Sequence, residues 1–124
     1  MLAQSALIAF VATTSPERAR AFYGGALGLT LRSEDGYALV FDAHGTMLRV
    51  QRVEEVKPPP YTVLGWDVPD ITQAVQALSL RDVEFERFPG VEQDDLGIWT
   101  TPDGSRVAWF KDPEGHILSL TQFA

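Results

Sequence analysis

A chain of 124 residues fits one folded domain with a real core, and its 45% apolar and 22% charged content matches folded globular proteins, which excludes disordered and fibrous classes. Ten basic against 17 acidic residues leave a net charge of −7 without a local basic patch, which argues against nucleic acid as a partner. Absence of cysteine removes disulfides, thiolate ligands and a cysteine nucleophile. It makes the cytoplasm the expected compartment, while no apolar run approaches the roughly 20 residues that span a bilayer and Met1 to Val11 lacks a basic leader.

The segment "SALIAFVA" reads as a first strand. Ser15 then has the character of an N-cap, with Pro16 at the first helical position and Glu17 close behind. A helix is expected from about Pro16 to Ala26, since Ala19, Phe22, Tyr23, Ala26 and Leu27 recur at helical spacing, and Gly28 ends it. Three short strands follow, Leu29 to Ser33, Tyr37 to Asp42 and Thr46 to Arg52, joined by Glu34-Asp35-Gly36 and Ala43-His44-Gly45. The stretch "VEEVKPPP", residues 53–60, combines charge with three prolines and reads as an extended linker.

Beyond it the pattern restarts. A strand at Tyr61 to Val68 precedes a helix from about Ile71 to Leu80 with Ile71, Ala74, Val75 and Leu78 on one face. Further strands are expected at Val83 to Glu86, Gly97 to Thr101, Ser105 to Lys111 and His116 to Gln122. Sliding the second half back by 55 positions overlays Ile8 on Val63, Ser15 on Asp70, Ala19 on Ala74 and Phe22 on Ala77. The chain therefore reads as one α+β domain, residues 1–124, built from two β-α-β-β-β modules at about 5–52 and 61–124.

"SPERARAFYGGALGL" (Ser15 to Leu29) and "WFKDPEGHILSLTQF" (Trp109 to Phe123), together with the paired modules, resemble the superfamily of glyoxalases, bleomycin-resistance proteins and extradiol dioxygenases, the vicinal oxygen chelate fold. The resemblance implies mixed sheets forming a half-open cup with helices outside, a homodimer, and, in metal-using members, His, Gln or Glu side chains directed at a divalent ion. The motifs have structural explanations too: Phe22 and Tyr23 belong to the apolar helix stripe, and Asp112-Pro113-Glu114-Gly115 suits a turn between antiparallel strands.

Landmark matching places the implied metal columns at Ile8, Arg49, Val63 and Ser119. Two have no donor atom, one is permanently cationic and one is a weak neutral hydroxyl, so neither metal nor other cofactor is expected. His44 and His116, the only histidines, fall in or beside turns and are expected at the surface. No phosphate loop follows a strand into a helix, and no serine occupies a glycine-flanked nucleophile turn.

Strand alternation puts Leu48 and Val50 under the first helix and Met47, Arg49 and Gln51 on the other face. In the second module Leu64, Trp66 and Val68 turn to the core with Leu118 and Leu120, opposite Val63, Gly65, Asp67, Ser119 and Thr121. The expected ligand-binding residues are Phe10, Arg49, Gln51, Asp67, Trp109, Ser119 and Thr121: Arg49 for a carboxylate, Ser119, Gln51 and Thr121 for hydrogen bonds. An Arg49–Asp67 ion pair is the competing account of those two charges. Trp99 and Trp109 suit stacking on an aromatic or cationic guest, and the Arg87 to Leu96 loop suits a lid. The resulting expectation is a metal-independent small-molecule binding protein, with a lyase, isomerase or dioxygenase of the same superfamily as the alternative and a dimeric structural module as the third; the sequence names no catalytic residue.

Overall fold

The computed structural model describes residues 1–124. The chain divides into two units, Met1–Lys57 and Pro58–Ala124.

In the first unit a single 3₁₀ turn (Leu2–Gln4) leads to β1 (Ile8–Thr13), α1 (Pro16–Ala19), β2 (Thr30–Glu34), β3 (Ala38–Ala43) and β4 (Thr46–Arg52). Ser15 caps α1, its hydroxyl accepting from the Arg18 amide at 3.4 Å, with Pro16 where a missing N–H costs nothing. The helix continues to Ala26 as expected, but residues Arg20–Ala26 are wound as a π-helix. Its bonds skip an extra residue: Leu27 N–H donates to the Phe22 carbonyl at 2.9 Å. Gly24 and Gly25 lie in this stretch, where weak α propensity lowers the cost of leaving the α ladder. Gly28, at φ 75°, lets the chain turn off toward β2.

Sheet order is β1-β4-β3-β2, with β1 parallel to β4 and the other pairs antiparallel. The helix covers one face. Tyr23 packs on Phe41 with ring centroids 6.0 Å apart, and Leu39, Leu48 and Val50 complete a core that excludes water. Each such side chain contributes about 1.5–3 kcal/mol on burial.

The second unit repeats the plan with β5 (Thr62–Asp67), α2 (Ile71–Ser79), β6 (Trp99–Thr100), β7 (Arg106–Lys111) and β8 (Ile117–Gln122), in the order β5-β8-β7-β6. β5 is parallel to β8, as β1 is to β4. Asp70 caps α2 through the Gln73 amide at 3.1 Å. Gln122 Oε1 accepts from the Ile71 amide, and Arg106 donates to Thr72 Oγ1, which seats the helix start on one face of β7 and β8. Ile71, Val75, Phe110 and Leu118 are fully buried there, and Trp66 stacks on Phe110 at 6.4 Å as core packing requires.

The segment expected as a strand at Val83 to Glu86 makes only a bridge, Phe85 to Phe110, with Glu86 N–H donating to the Trp109 carbonyl. A bulge between Thr62 and Leu64 leaves Val63 without a ladder partner. These are two four-stranded mixed sheets with one helix each, and neither sheet closes into a barrel. No helix is long and apolar enough to cross a membrane.

Candidate functional site

Because α1 and α2 each cover one sheet face, strand alternation decides which residues lie on the other. In the first unit, Phe41 and Leu48 are paired on the helix side, so Phe10, Arg49 and Val40 form a cross-strand row on the opposite face. Ala12, Gln51 and Ala38 make the next row, and Ile8, Met47 and Asp42 the one on the other side. Phe10 is 51% exposed, Arg49 is half-buried and Gln51 is exposed. The three expected binding residues of this unit thus share one face, away from its helix.

The second unit has an equivalent row: Gly65, Ser119 and Trp109. The next row is Asp67, Thr121 and Val107, extended by Trp99 on β6. Arg106 and Gln122 reach α2, so the alternate residues Val107, Trp109 and Thr121 lie on the face away from it. All four expected binding residues of this unit, Asp67, Trp109, Ser119 and Thr121, share that face. The 55-residue offset carries Phe10 onto Gly65, and Arg49 and Ser119 hold matching places beside them.

Aromatic rings dominate one side of this second face. Trp99 and Trp109 are stacked, centroids 6.0 Å apart and planes 24° from parallel, and Phe88 meets Trp109 edge-on at 5.4 Å. Phe88 arrives on the Arg87 to Leu96 loop, and Gln93 holds that loop. Its Oε1 accepts from the Phe88 amide at 2.9 Å while its Nε2 donates to the Glu86 and Gly97 carbonyls at 2.9 and 2.8 Å. Phe88 and Gln93 were not among the expected site residues, because only the folded loop brings them to β6 and β7. Trp99 also lines a hollow of about 320 Å³ with Glu92, Gln93, Asp94, Ile98 and Thr100. Asp94 is more than rim: its Oδ1 accepts from the Leu96 and Ile98 amides, which closes the turn before β6.

The polar side of the face is sparse. Ser119 is 7% exposed, and its hydroxyl points over Gly65, where a Cβ would lie 2.8 Å from Ser119 Oγ. That hydroxyl makes no hydrogen bond to a protein group and is open to solvent, since no fully buried polar side-chain atom lacks a partner.

His44 lies in the β3–β4 turn, exposed and at φ 51°. His116 departs from the surface placement expected of it: it is 7% exposed, with Nδ1 2.8 Å from Asp112 Oδ2. The Asp112 carboxylate satisfies the imidazole and so makes its burial tolerable. No three His, Cys, Asp or Glu side chains are grouped to hold a metal ion, and Ile8 and Val63, two of the four positions expected to face one, carry no donor atom. The residues present do not fit a divalent ion there.

Residues 6–120 match the Glyoxalase/Bleomycin resistance protein/Dioxygenase superfamily model. The chain belongs to this superfamily. Solved structures repeat its fold: a glyoxalase family protein from Enterococcus faecalis (TM-score 0.77, 18% identity, covering 98% of this chain and 100% of that one); lactoylglutathione lyase from Agrobacterium tumefaciens (0.73, 16%, 95% and 93%); and the fosfomycin resistance protein FosX from Listeria monocytogenes (0.78, 10%, 98% and 94%). No curated protein matches the sequence. At these identities the superfamily likeness speaks for the scaffold, and chemistry has to come from the side chains the sheets carry.

Proposed function

We propose that this chain is a metal-independent small-molecule binding member of the superfamily, a sequestration or resistance protein, which holds its ligand against a helix-free sheet face. In the first unit Arg49 takes a carboxylate or other planar anion by paired hydrogen bonds, with Phe10 adding apolar area and Gln51 a polar contact; in the second, Asp67, Ser119 and Thr121 offer polar contacts beside Trp109. The observation that carries this reading is the make-up of those faces: apolar and aromatic surface with isolated polar groups and no cluster of metal-ligating side chains. The protein acts in the cytoplasm as a homodimer, a state that light scattering measures directly.

The test is a thermal-shift screen of small carboxylic acids, aromatic metabolites and bleomycin-type cations, followed by Arg49→Met. A bound ligand at 100 times its Kd raises stability by about 2.7 kcal/mol. The substitution should abolish that rise for an anionic ligand with little change in the unliganded midpoint. Unchanged affinity in Arg49→Met would remove Arg49 from recognition.

A further inference from the structure

We infer that the second unit's helix-free face reads a planar aromatic ring carrying a hydrogen-bond donor on one edge, the ring lying on the Trp109–Trp99 platform and the donor entering the notch over Gly65 beside Ser119 and Asp67. This rests on the reading above and adds to it the chemical class of ligand that the second unit's face takes.

Three observations converge. First, Trp99 and Trp109 are both half-buried on the face α2 does not cover, and the loop that Gln93 pins holds Phe88 against them. A stacked, laterally supported indole pair is a flat surface fixed before any ligand arrives, so binding need not order it. Second, the Ser119 hydroxyl is a polar group in a residue more than nine-tenths buried, without a protein partner, directed over the one position of its row that has no side chain. That hydroxyl is open to whatever enters the notch and can accept a hydrogen bond from a donor brought there. Third, carboxylates flank this end: Asp67 is two residues along β5 from Gly65 on the same face, and Glu92 lines the hollow that Trp99 borders, whereas Asp94 there is met by the Arg106 guanidinium at 3.9 Å. An ionised carboxylate only accepts hydrogen bonds, so the matching ligand edge donates.

The dimensions agree. Adjacent strands are about 4.8 Å apart, so Gly65 and Trp109, two strands apart in one row, are separated by about 10 Å, the span of a six-membered ring with a short amino side arm. Phenylalkylamines and related aryl amines have this shape.

Three matched probes separate the parts: 2-phenylethylamine, with ring and donor; 2-cyclohexylethylamine, with the donor but no aromatic ring; and 3-phenylpropionate, with the ring but an accepting edge. Titration is followed by the indole N–H resonances of Trp99 and Trp109 in ¹⁵N-edited NMR. The amine with the aromatic ring should shift both resonances saturably and bind at least about tenfold more tightly than either analogue. Gly65→Ala should weaken it at least about tenfold by filling the notch. Should that variant fail to fold, Ser119→Ala should narrow the gap between phenylethylamine and phenylpropionate by about threefold or more.

Equal binding of the cyclohexyl amine overturns the inference, as does an amine affinity that Ser119→Ala leaves untouched. So does the absence of any shift in the two indole resonances. Preferred binding of phenylpropionate that Arg49→Met abolishes also overturns it while leaving the functional reading intact. Phenylethylamine binding as described upholds the inference even if Arg49 contributes nothing.

Discussion

Asp112 shows how much one carboxylate organises. Its Oδ1 accepts from the Glu114 and His116 amides at 3.0 and 2.9 Å, and its Oδ2 meets His116 Nδ1 at 2.8 Å, with the Asp112 side chain 2% exposed. Alanine at this position strands two amides and a buried imidazole together, so Asp112→Ala should cost about 2–4 kcal/mol in urea unfolding. Asparagine keeps an acceptor for the two amides and should cost less than half as much; equal costs would show that the charge, not the acceptor, matters. Asp35 is the exposed counterpart. The Tyr37 amide, then the Ala38 amide, hold its carboxyl below the usual carboxylate range, with smaller help from the Arg49 and Arg52 charges. A folded pKa below the unfolded value means stabilisation present above the unfolded value of 3.8 and lost as pH falls through the folded one. Asp35→Asn should therefore flatten the acid limb of the stability curve below about pH 4 and leave its slope at neutral pH unchanged.

Among the elements, the Arg87 to Leu96 loop has the most consequence for the site, because one side chain sets its shape. Gln93 bonds backbone on both sides of the loop. Gln93→Ala removes three neutral hydrogen bonds, which should lower the local opening free energy by about 1–3 kcal/mol. Amide exchange at Phe88 should speed up accordingly, and the near-ultraviolet circular dichroism of the Trp99–Trp109 pair should weaken; unchanged signals would assign the loop's order to another contact. Nothing in the sequence marks Gln93, since its partners Phe88, Glu86 and Gly97 follow no periodic spacing. The strands and caps were legible because their signals are local: Thr46–Arg52 is a strand over the span its alternation indicates, and Ser15 and Asp70 cap the helices they precede. The π-wound turn was not, since α and π windings bury the same Phe22–Tyr23 stripe and differ only in which carbonyl Leu27 finds. Face assignments for Arg49, Gln51, Ser119 and Thr121 were legible for the same reason as the strands, because side-chain direction alternates with certainty once a strand is placed. His116 was misplaced because the group that buries it, Asp112, reads in sequence as an ordinary turn residue.

At the scale of the whole molecule the scaffold is shared with a lactoylglutathione lyase and a fosfomycin resistance protein, so the chemistry has to be read from the side chains, among which no three His, Asp or Glu are grouped to hold a metal ion. Only two histidines exist; one is in an exposed turn and the other is already bonded to Asp112. A net charge of −7 complicates the obvious measurement, because 17 scattered carboxylates attract any divalent cation weakly. That attraction is screened over about 10 Å at 0.1 M salt, whereas direct coordination at a built site is not. Addition of zinc, manganese or nickel should therefore give, at most, a small rise in the unfolding midpoint that neither saturates nor survives added salt, and protein purified without a histidine tag should carry no stoichiometric metal. A saturable rise that persists in salt, about 2.7 kcal/mol at 100 times the Kd, would instead demonstrate coordination by protein atoms and overturn the metal-independent reading.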